Sequence, residues 1–230
     1  MRYIAVFGLL VLTLIVGLAV PLLGWGLDDV AGFFSHPARL AYVASMAVVL
    51  GLLGYRAFTL PRDYNPISRG RADRLVSRQS VMPLVNRAIV FAAFFLCPYS
   101  DGHDFLVIPG GDWLRYLGLV LFVGGLGLTY WAHACLGRQH SVEATIQEGH
   151  RLVTSGPYAL IRHPIYLGQS AFPVGLALVF RAWPGLALAL PIVGLFVWRI
   201  SDEEDLLHRE FGQEWESYSR RSWRLIPLVY

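Results

Sequence analysis

The sequence contains no lysine, since all 19 basic residues other than histidine are arginines, and it has only two cysteines. The absence of lysine excludes Schiff-base catalysis and a phosphate-loop lysine. Cys97 and Cys135 both lie in apolar stretches, so neither a disulfide framework nor a cysteine zinc site is expected. Charged residues make up only 15% of the chain and hydrophobic residues 55%. One soluble core could not bury that much apolar surface, which indicates an integral membrane protein.

Apolar runs near the length of a bilayer span cover residues 3–26, 38–60, 81–99 and 113–135. A fifth run, 165–200, is too long for one span and is interrupted by residues 181–185, where Pro184 and Gly185 favour a turn. We therefore predict an all-α polytopic protein with about six transmembrane helices, the last two forming a hairpin. The first run lacks a convincing cleavage site and is interpreted as a retained helix. The length suits a single domain over residues 1–230.

The distribution of arginine predicts the orientation in the membrane. Arginines are concentrated around the second loop, from Arg56 to Arg78, whereas the first and third loops carry aspartates such as Asp28 and Asp101. By the positive-inside rule, the second loop, the fourth loop and the C-terminal tail are expected to be cytoplasmic, and so are both termini. The basic charge is thus read as membrane topology, and no nucleic-acid partner is expected.

A C-terminal amphipathic helix is predicted after the last span. Leu207, Phe211, Trp215 and Tyr218 recur at helical spacing, and the opposite face is charged. We expect this helix to lie against the membrane surface or the fourth loop.

Polar residues that a purely structural membrane protein would not need are concentrated in two segments, 143–166 and 199–204. Both lie on the predicted cytoplasmic side and are separated only by the hairpin. Because a hairpin returns its ends to one another, the two segments can form one pocket, which we expect to be cytoplasmic.

Each segment also has a simpler interpretation. His163 precedes Pro164 at a helix start, so it could be only a helix cap, with the neighbouring tyrosines at the membrane interface. Arg199 and Glu203 are one helical turn apart and could be only an ion pair at the membrane edge.

The letters and spacing of these segments match a known pattern. The run from His150 to Gly168 reads HRLVTSGPYALIRHPIYLG, and after the hairpin come Arg199 and, from Glu203, EEDLLHREFGQEWESYSRR. Over about residues 113–230 the chain resembles the isoprenylcysteine carboxyl methyltransferase family, which implies that 113–230 is a cofactor-binding catalytic core. Residues 1–112 are N-terminal helices of unassigned role.

The resemblance implies that S-adenosylmethionine is the cofactor and that the acceptor is a prenylated or other lipophilic molecule entering from the bilayer. The residues that it implies for cofactor binding are His150, Leu152, Val153, Tyr158, His163, Pro164, Ile165, Tyr166 and Glu203. It associates Arg199 with the substrate, as the catalytic residue. Glu143 stands where the family can offer a glutamine to the cofactor, which is a departure from the pattern.

Other functions stay open at this point. Methylation of a phospholipid amine would need a base, for example Glu204. A small lipophilic carboxylate, phenol or thiol could be the acceptor, and a non-catalytic transporter or sterol-binding protein could reuse the scaffold.

Two further motifs are interpreted structurally. The glycines of the run 124–127 lie within an apolar run and are expected to allow close helix packing. His133, His140, His150 and His163 fit no familiar metal spacing, so no metal site is expected.

Overall fold

The computed structural model describes residues 2–59, 70–71, 82–137, 146–147 and 152–229. These residues are mainly helical, which confirms the all-α prediction. The helices are α1 Arg2–Leu14, α2 Val20–Trp25, α3 Val30–Ser35, α4 Pro37–Thr59, α5 Met82–Gly102, α6 Asp112–Leu136, α7 Pro164–Val179, α8 Trp183–Phe211 and α9 Gln213–Ser219. Two short strands, β1 Gly70–Arg71 and β2 Ile146–Gln147, pair antiparallel, with Gly70 opposite Gln147.

The first predicted span is a bent element. A π-helical segment, Ile15–Ala19, joins α1 to α2, and the chain then turns by 94° into Leu27–Ser35. Gly26 makes this turn possible, because its φ of 113° is a conformation that other residues rarely adopt. The Asp29 carboxylate then caps α3 by accepting a hydrogen bond from the backbone N–H of Gly32 at 2.9 Å.

The number of spans can be compared with the predicted six. Among the described residues, three helices are long and apolar enough to cross a membrane, or four if the bent pair counts as one span. The apolar stretches Pro37–Leu52 and Pro164–Val179 are shorter. The membrane architecture is therefore supported, whereas the count of six spans stays a prediction.

The predicted hairpin is present as α7 and α8, joined by a turn over residues 180–182. Arg181 has a φ of 47°, and the backbone N–H of Ala182 bonds to the carbonyl of Ala177 at 2.8 Å. The turn is shorter than the predicted 181–185, because Pro184 and Gly185 already lie in the first turn of α8, where proline is tolerated.

The second helix of the hairpin is longer than expected. Helix α8 has 29 residues and continues past the apolar stretch to Phe211, so it includes the first half of the predicted C-terminal helix. The break comes at Gly212, whose φ is 49°, and α9 forms the second half. Trp215 and Tyr218 on α9 are buried, in agreement with their predicted apolar face.

Helix packing relies on glycine at α6 and α7. A methyl group on Gly168 would collide with the hydroxyl of Thr129 and the carbonyl of Gly125. Gly118 and Gly175 are similarly close to the backbone of the neighbouring helix. Within the run 124–127, the backbone of Gly125 takes part in this close approach, since small residues let helix backbones approach closely. The prediction is wrong for Gly124 and Gly127, because a Cβ atom on either would meet nothing within 4 Å.

The chain divides into two compact units. The first unit comprises residues 1–62, 87–123 and 172–190, and the second comprises 63–86, 124–171 and 191–230. Boundaries between the units fall inside α5, α6, α7 and α8. The expectation of one membrane domain over residues 1–230 stays a prediction.

The first unit has an aromatic core. The ring of Tyr42 lies 5.3 Å from Phe122 and 5.5 Å from Phe180, and Phe180 stacks on Phe33 at 5.9 Å. The buried Tyr42 hydroxyl donates a hydrogen bond to the carbonyl of Gly17 in the π-helical segment at 2.6 Å. This bond satisfies a polar group that would otherwise be costly to bury.

A buried charge cluster lies in the same unit. The Asp101 carboxylate accepts two hydrogen bonds from Arg115, both at 2.7 Å, and one from Arg39 at 2.9 Å. Arg181 lies 3.6 Å from the same carboxylate. Asp101 therefore joins α4, α5, α6 and the hairpin turn through one group, and all of its bonds are charge-assisted.

Candidate functional site

The site is built in the second unit, beginning with the connector that leads into α7. The chain forms a 3-10 turn at Gly156–Ala159, which starts with Gly156 at a φ of 62°. A Cβ atom on Gly156 would collide with the Sγ atom of Cys135, so glycine is required here for space as well as for conformation. The Tyr158 side chain that follows is buried.

The C-terminal segment Ser222–Arg224 holds the connector in place. The backbone N–H of Trp223 donates to the carbonyl of Leu160 at 2.9 Å, and that of Arg162 donates to the carbonyl of Trp223 at 2.7 Å. The backbone N–H of His163 donates to the carbonyl of Arg224 at 3.2 Å. Residues 160–163 and 223–224 therefore pair like a short parallel strand pair beside the start of α7.

Tyr218 adds a side-chain bond to the connector. Its hydroxyl donates to the carbonyl of Tyr158 at 2.8 Å, and both residues are buried. Burial, with a smaller contribution from the negative charge of Glu203, raises the pKa of the Tyr158 phenol well above its usual value. Burial likewise raises the pKa of Tyr218, to about 12. Both phenols are therefore neutral near pH 7.

His163 stands at the entrance of α7, directly before Pro164. Its carbonyl accepts the N–H of Leu167 at 3.1 Å, so it does act as a helix cap through its backbone. Its buried ring also stacks on Tyr166, with centroids 5.7 Å apart and planes 12° apart, and its Nε2 lies 3.2 Å from Oε1 of Glu204. A helix cap alone would not need these ring contacts.

Glu204 is a buried carboxylate between basic groups. Its Oε1 accepts from Nε of Arg162 at 2.9 Å, and its Oε2 accepts from Nε of Arg224 at 2.8 Å. Arg162 also donates to the carbonyls of Ser219 and Ser222. One carboxylate on α8 thus connects the connector, the helix entrance and the C-terminal segment.

A second set of contacts joins α7 to α8. Nε of Arg199 donates to the hydroxyl of Tyr166 at 2.8 Å, and this hydroxyl donates to Oε2 of Glu203 at 2.6 Å. The Tyr166 ring stacks on Phe196, with centroids 5.1 Å apart, and the Arg199 guanidinium lies 5.9 Å from the Tyr166 centroid. The arginine and the carboxylate are therefore fixed on either side of one phenol.

The predicted convergence of the two polar segments is confirmed, because Tyr166 contacts both Arg199 and Glu203. The helix entrance also carries Pro164, which is fully buried, and Ile165. Leu152 and Val153 are half-buried in the connector. His150 and Glu143 lie outside the described residues. The roles assigned to these residues stay predictions.

The sequence did not reveal the pairing of Glu204 with Arg162 and Arg224. Glu204 follows Glu203 directly, and neighbouring helix positions point about 100° apart, so the two carboxylates serve different contacts. In the sequence, Arg162 stands next to His163 at the start of a predicted helix, with no sign of a partner for its charge. Its partner lies 42 residues away, and Arg224 lies 20 residues from Glu204, so only the fold brings them together.

Within the described part of the chain, no three histidine, cysteine, aspartate or glutamate side chains are placed to hold a metal ion. His140 and His150 are not among the residues described.

Comparison with known families gives a consistent result. The family model for phospholipid methyltransferase matches residues 113–214. Protein-S-isoprenylcysteine O-methyltransferase A of Arabidopsis thaliana is 30% identical over 132 residues, 55% of this chain and 67% of the relative. The B form of the same plant is 31% identical over 120 residues, which is 51% of this chain and 61% of that protein.

The corresponding enzyme of Homo sapiens is 32% identical over 120 residues, covering 51% of this chain and 42% of the human protein. The matched regions thus cover 61–67% of the length of these two plant relatives and 42% of the human one. Among solved structures, that of the eukaryotic intramembrane Ras methyltransferase ICMT has a TM-score of 0.53 and 20% identity, covering 96% of this chain and 74% of that one. This likeness supports the membrane fold.

Proposed function

This chain belongs to the isoprenylcysteine carboxyl methyltransferase family, and we propose that it transfers a methyl group from S-adenosylmethionine to the carboxylate of a lipophilic acceptor. The observation that carries the proposal is the contact of Arg199 and Glu203 with the same Tyr166 hydroxyl. A group that can bind a carboxylate and a group that can bind a cation are thereby held side by side.

The residues present fit the proposed cofactor. S-adenosylmethionine supplies an electrophilic methyl group on a positively charged sulfur. A cation is stabilised by a nearby carboxylate, and Glu203 offers one beside the Tyr166 hydroxyl. We propose that Glu203 binds the polar end of the cofactor and that Tyr158 and Tyr166 contact it by packing.

The remaining cofactor contacts are proposed for the connector and the helix entrance. Residues there can offer backbone groups and an apolar surface, which suit an adenosyl moiety. The set proposed for these contacts is His150, Leu152, Val153, His163, Pro164 and Ile165.

Arg199 is proposed to orient the acceptor. A guanidinium binds a carboxylate through paired, planar hydrogen bonds. The bond from Nε of Arg199 to Tyr166 fixes the plane of the guanidinium before an acceptor arrives. Because a carboxylate is already nucleophilic, the reaction requires orientation rather than a general base.

The acceptor is proposed to enter from the bilayer and the cofactor from the cytoplasm. The described strands β1 and β2 support a common side for the second and fourth loops, because they pair these two loops with each other. The aromatic residues Trp131, Trp198 and Trp223 of the second unit are exposed, as is common at membrane interfaces.

Methylation of a phospholipid amine is the second candidate, favoured by the family model that matches residues 113–214. That reaction would need a base, and Glu204 was the residue considered for it. The pairing of Glu204 with Arg162, Arg224 and His163 argues against this role, because these partners stabilise the carboxylate that a base would have to protonate.

Isotope transfer tests the proposal. The purified protein is incubated with methyl-labelled S-adenosylmethionine and a synthetic prenylcysteine whose amine is blocked. We expect label in a base-labile ester, and no label when the acceptor is already esterified. Label recovered from added phospholipid in a base-stable amine would support the second candidate instead.

Calorimetry with S-adenosylhomocysteine separates an enzyme from a non-catalytic transporter or sterol-binding protein. We expect micromolar binding that is lost in Tyr158→Ala and Glu203→Ala and retained in the control Glu210→Ala, which changes an exposed residue of the same helix. No heat of binding to the unmodified protein would contradict the proposed function.

A further inference from the structure

The hydrogen bond between Glu204 and His163 has a definite direction. An ionised carboxylate only accepts hydrogen bonds, so Nε2 of His163 is the donor in the 3.2 Å contact with Oε1 of Glu204. In the neutral ring Nδ1 is then an acceptor. A neighbouring carboxylate commonly selects the tautomer of a histidine in this way.

The position of the ring is fixed by two further contacts. Tyr166 stacks on one face, with planes 12° apart, which restricts rotation of the imidazole. The backbone N–H of His163 is held by the carbonyl of Arg224. Nδ1 is separated from Nε2 by one carbon, so it faces away from Glu204 while the ring itself is buried.

The arginines hold the carboxylate in turn. Arg162 and Arg224 bind its two oxygens from the connector and from the C-terminal segment. A carboxylate with charged donors at both oxygens is held in one orientation and stays ionised. It can therefore present one constant acceptor to the imidazole.

Resting on the proposed function, we infer that Glu204 is a positioning residue that makes Nδ1 of His163 a hydrogen-bond acceptor for an N–H or O–H donor of the adenosyl part of the cofactor. Glu204 acts through His163 and takes no proton during the reaction. Its loss should weaken cofactor binding and leave the chemical step nearly unchanged.

The first test is Glu204→Gln, with Glu210→Gln as the matched control on the exposed face of α8. A glutamine amide can donate to Nε2 and so reverse the tautomer of His163. We expect affinity for S-adenosylhomocysteine, measured by calorimetry, to fall about tenfold in Glu204→Gln and to be unchanged in the control. In turnover, KM for the methyl donor should rise about as much, with kcat within about twofold. A large fall in kcat with unchanged KM would overturn the inference and favour a base role.

The second test leaves the ion pairs of Glu204 with the arginines intact. The side-chain oxygen of asparagine lies near the position of Nδ1, whereas glutamine places its amide near Nε2. His163→Asn should retain affinity for S-adenosylhomocysteine within about threefold, and His163→Gln should lose about tenfold. Equal losses in the two variants would overturn the assignment of Nδ1 as acceptor.

A double variant shows whether Glu204 acts through His163. If it does, adding Glu204→Gln to His163→Asn should weaken binding no further, because the asparagine oxygen is an acceptor whichever residue stands at position 204. Fully additive losses would overturn the inference. If the unmodified protein fails to bind S-adenosylhomocysteine, the proposed function itself fails, whereas binding that Glu204→Gln leaves unchanged refutes only the role of Glu204.

Discussion

Arg199 and Glu203 share one hydrogen-bond partner, the hydroxyl of Tyr166, which accepts from the first at 2.8 Å and donates to the second at 2.6 Å. The two residues are one turn apart on α8, and Tyr166 lies on α7. Through this phenol, the residue proposed to orient the acceptor is linked to the residue proposed to bind the cofactor. Variants at either end and at the link should therefore have different kinetic effects.

Removal of Arg199 should stop turnover without releasing the cofactor. In Arg199→Ala we expect kcat/KM for methyl transfer to fall by about 10²–10³-fold. This is the loss seen in enzymes when one hydrogen-bond donor to the transition state is removed. Affinity for S-adenosylhomocysteine by calorimetry should stay within about threefold. Arg209→Ala, an exposed arginine of the same helix, serves as the control. A marked loss of cofactor affinity would assign Arg199 to cofactor binding instead.

Tyr166→Phe should separate the two ends of the link. The phenylalanine ring keeps the stacking on His163 and Phe196, and only the hydroxyl is lost. We expect kcat/KM for the acceptor to fall about thirtyfold, because a hydrogen bond contributes roughly 1 kcal/mol and the hydroxyl makes two.

Cofactor affinity of Tyr166→Phe should change less than activity, as compared by calorimetry and by turnover. Tyr116→Phe, at an exposed tyrosine of the first unit, should match the unmodified protein in both measurements. Wild-type turnover in Tyr166→Phe would show that the link has no part in the reaction.

The alkaline limit of stability should depend in part on Tyr218. Burial raises its pKa to about 12 from an ordinary 10.0, so the folded state holds the phenol proton more tightly than the unfolded state. The stabilising contribution is complete below about pH 10 and is lost as the pH rises toward 12. Melting temperature in detergent should fall over this window, less steeply in Tyr218→Phe than in the unmodified protein.

The same variant should be destabilised at pH 7 by about 0.5–1.5 kcal/mol, because the bond to the carbonyl of Tyr158 is lost. Tyr116→Phe should keep both the stability and its pH dependence. Identical alkaline slopes for Tyr218→Phe and the unmodified protein would contradict the prediction.

The charge cluster of the first unit should control stability rather than chemistry. Asp101→Asn leaves Arg39 and Arg115 buried without their carboxylate, and removing one partner of a buried pair costs about 3–5 kcal/mol. We expect a large fall in melting temperature in detergent. Asp28→Asn, at an exposed aspartate, should stay within about 0.5 kcal/mol of the unmodified protein. Unchanged melting in Asp101→Asn would show that the cluster is not stabilising.

The sequence predicted the helical architecture and the meeting of two polar segments, because hydropathy and a proline–glycine turn define a hairpin whose ends return to one another. It could not show that α8 continues to Phe211. Ser201 to Asp205 are polar and resemble the end of a span, whereas the hydrogen bonds of the helix continue through them until Gly212. The end of α8 is set by the positive φ of Gly212, and hydropathy carries no information about backbone conformation.

The long-range ion pairs could not be predicted from the sequence either. Arg162, Glu204 and Arg224 each have ordinary alternatives as surface charges, and nothing in their spacing indicates a common contact. Asp101 was used only as a sign of loop orientation, although it is buried among arginines of three other elements. Pairing across the fold depends on the packing of helices that a single sequence does not specify.

The backbone bonds between Leu160–His163 and Trp223–Arg224 have a consequence for biosynthesis. The helices of a nascent chain can enter the membrane one after another, yet the start of α7 lacks these partners until translation has passed Arg224. The proposed cofactor site is therefore completed only after both helices of the hairpin have been made. A ribosome stalled a few codons earlier would leave a protein that is inserted and helical but lacks these backbone bonds.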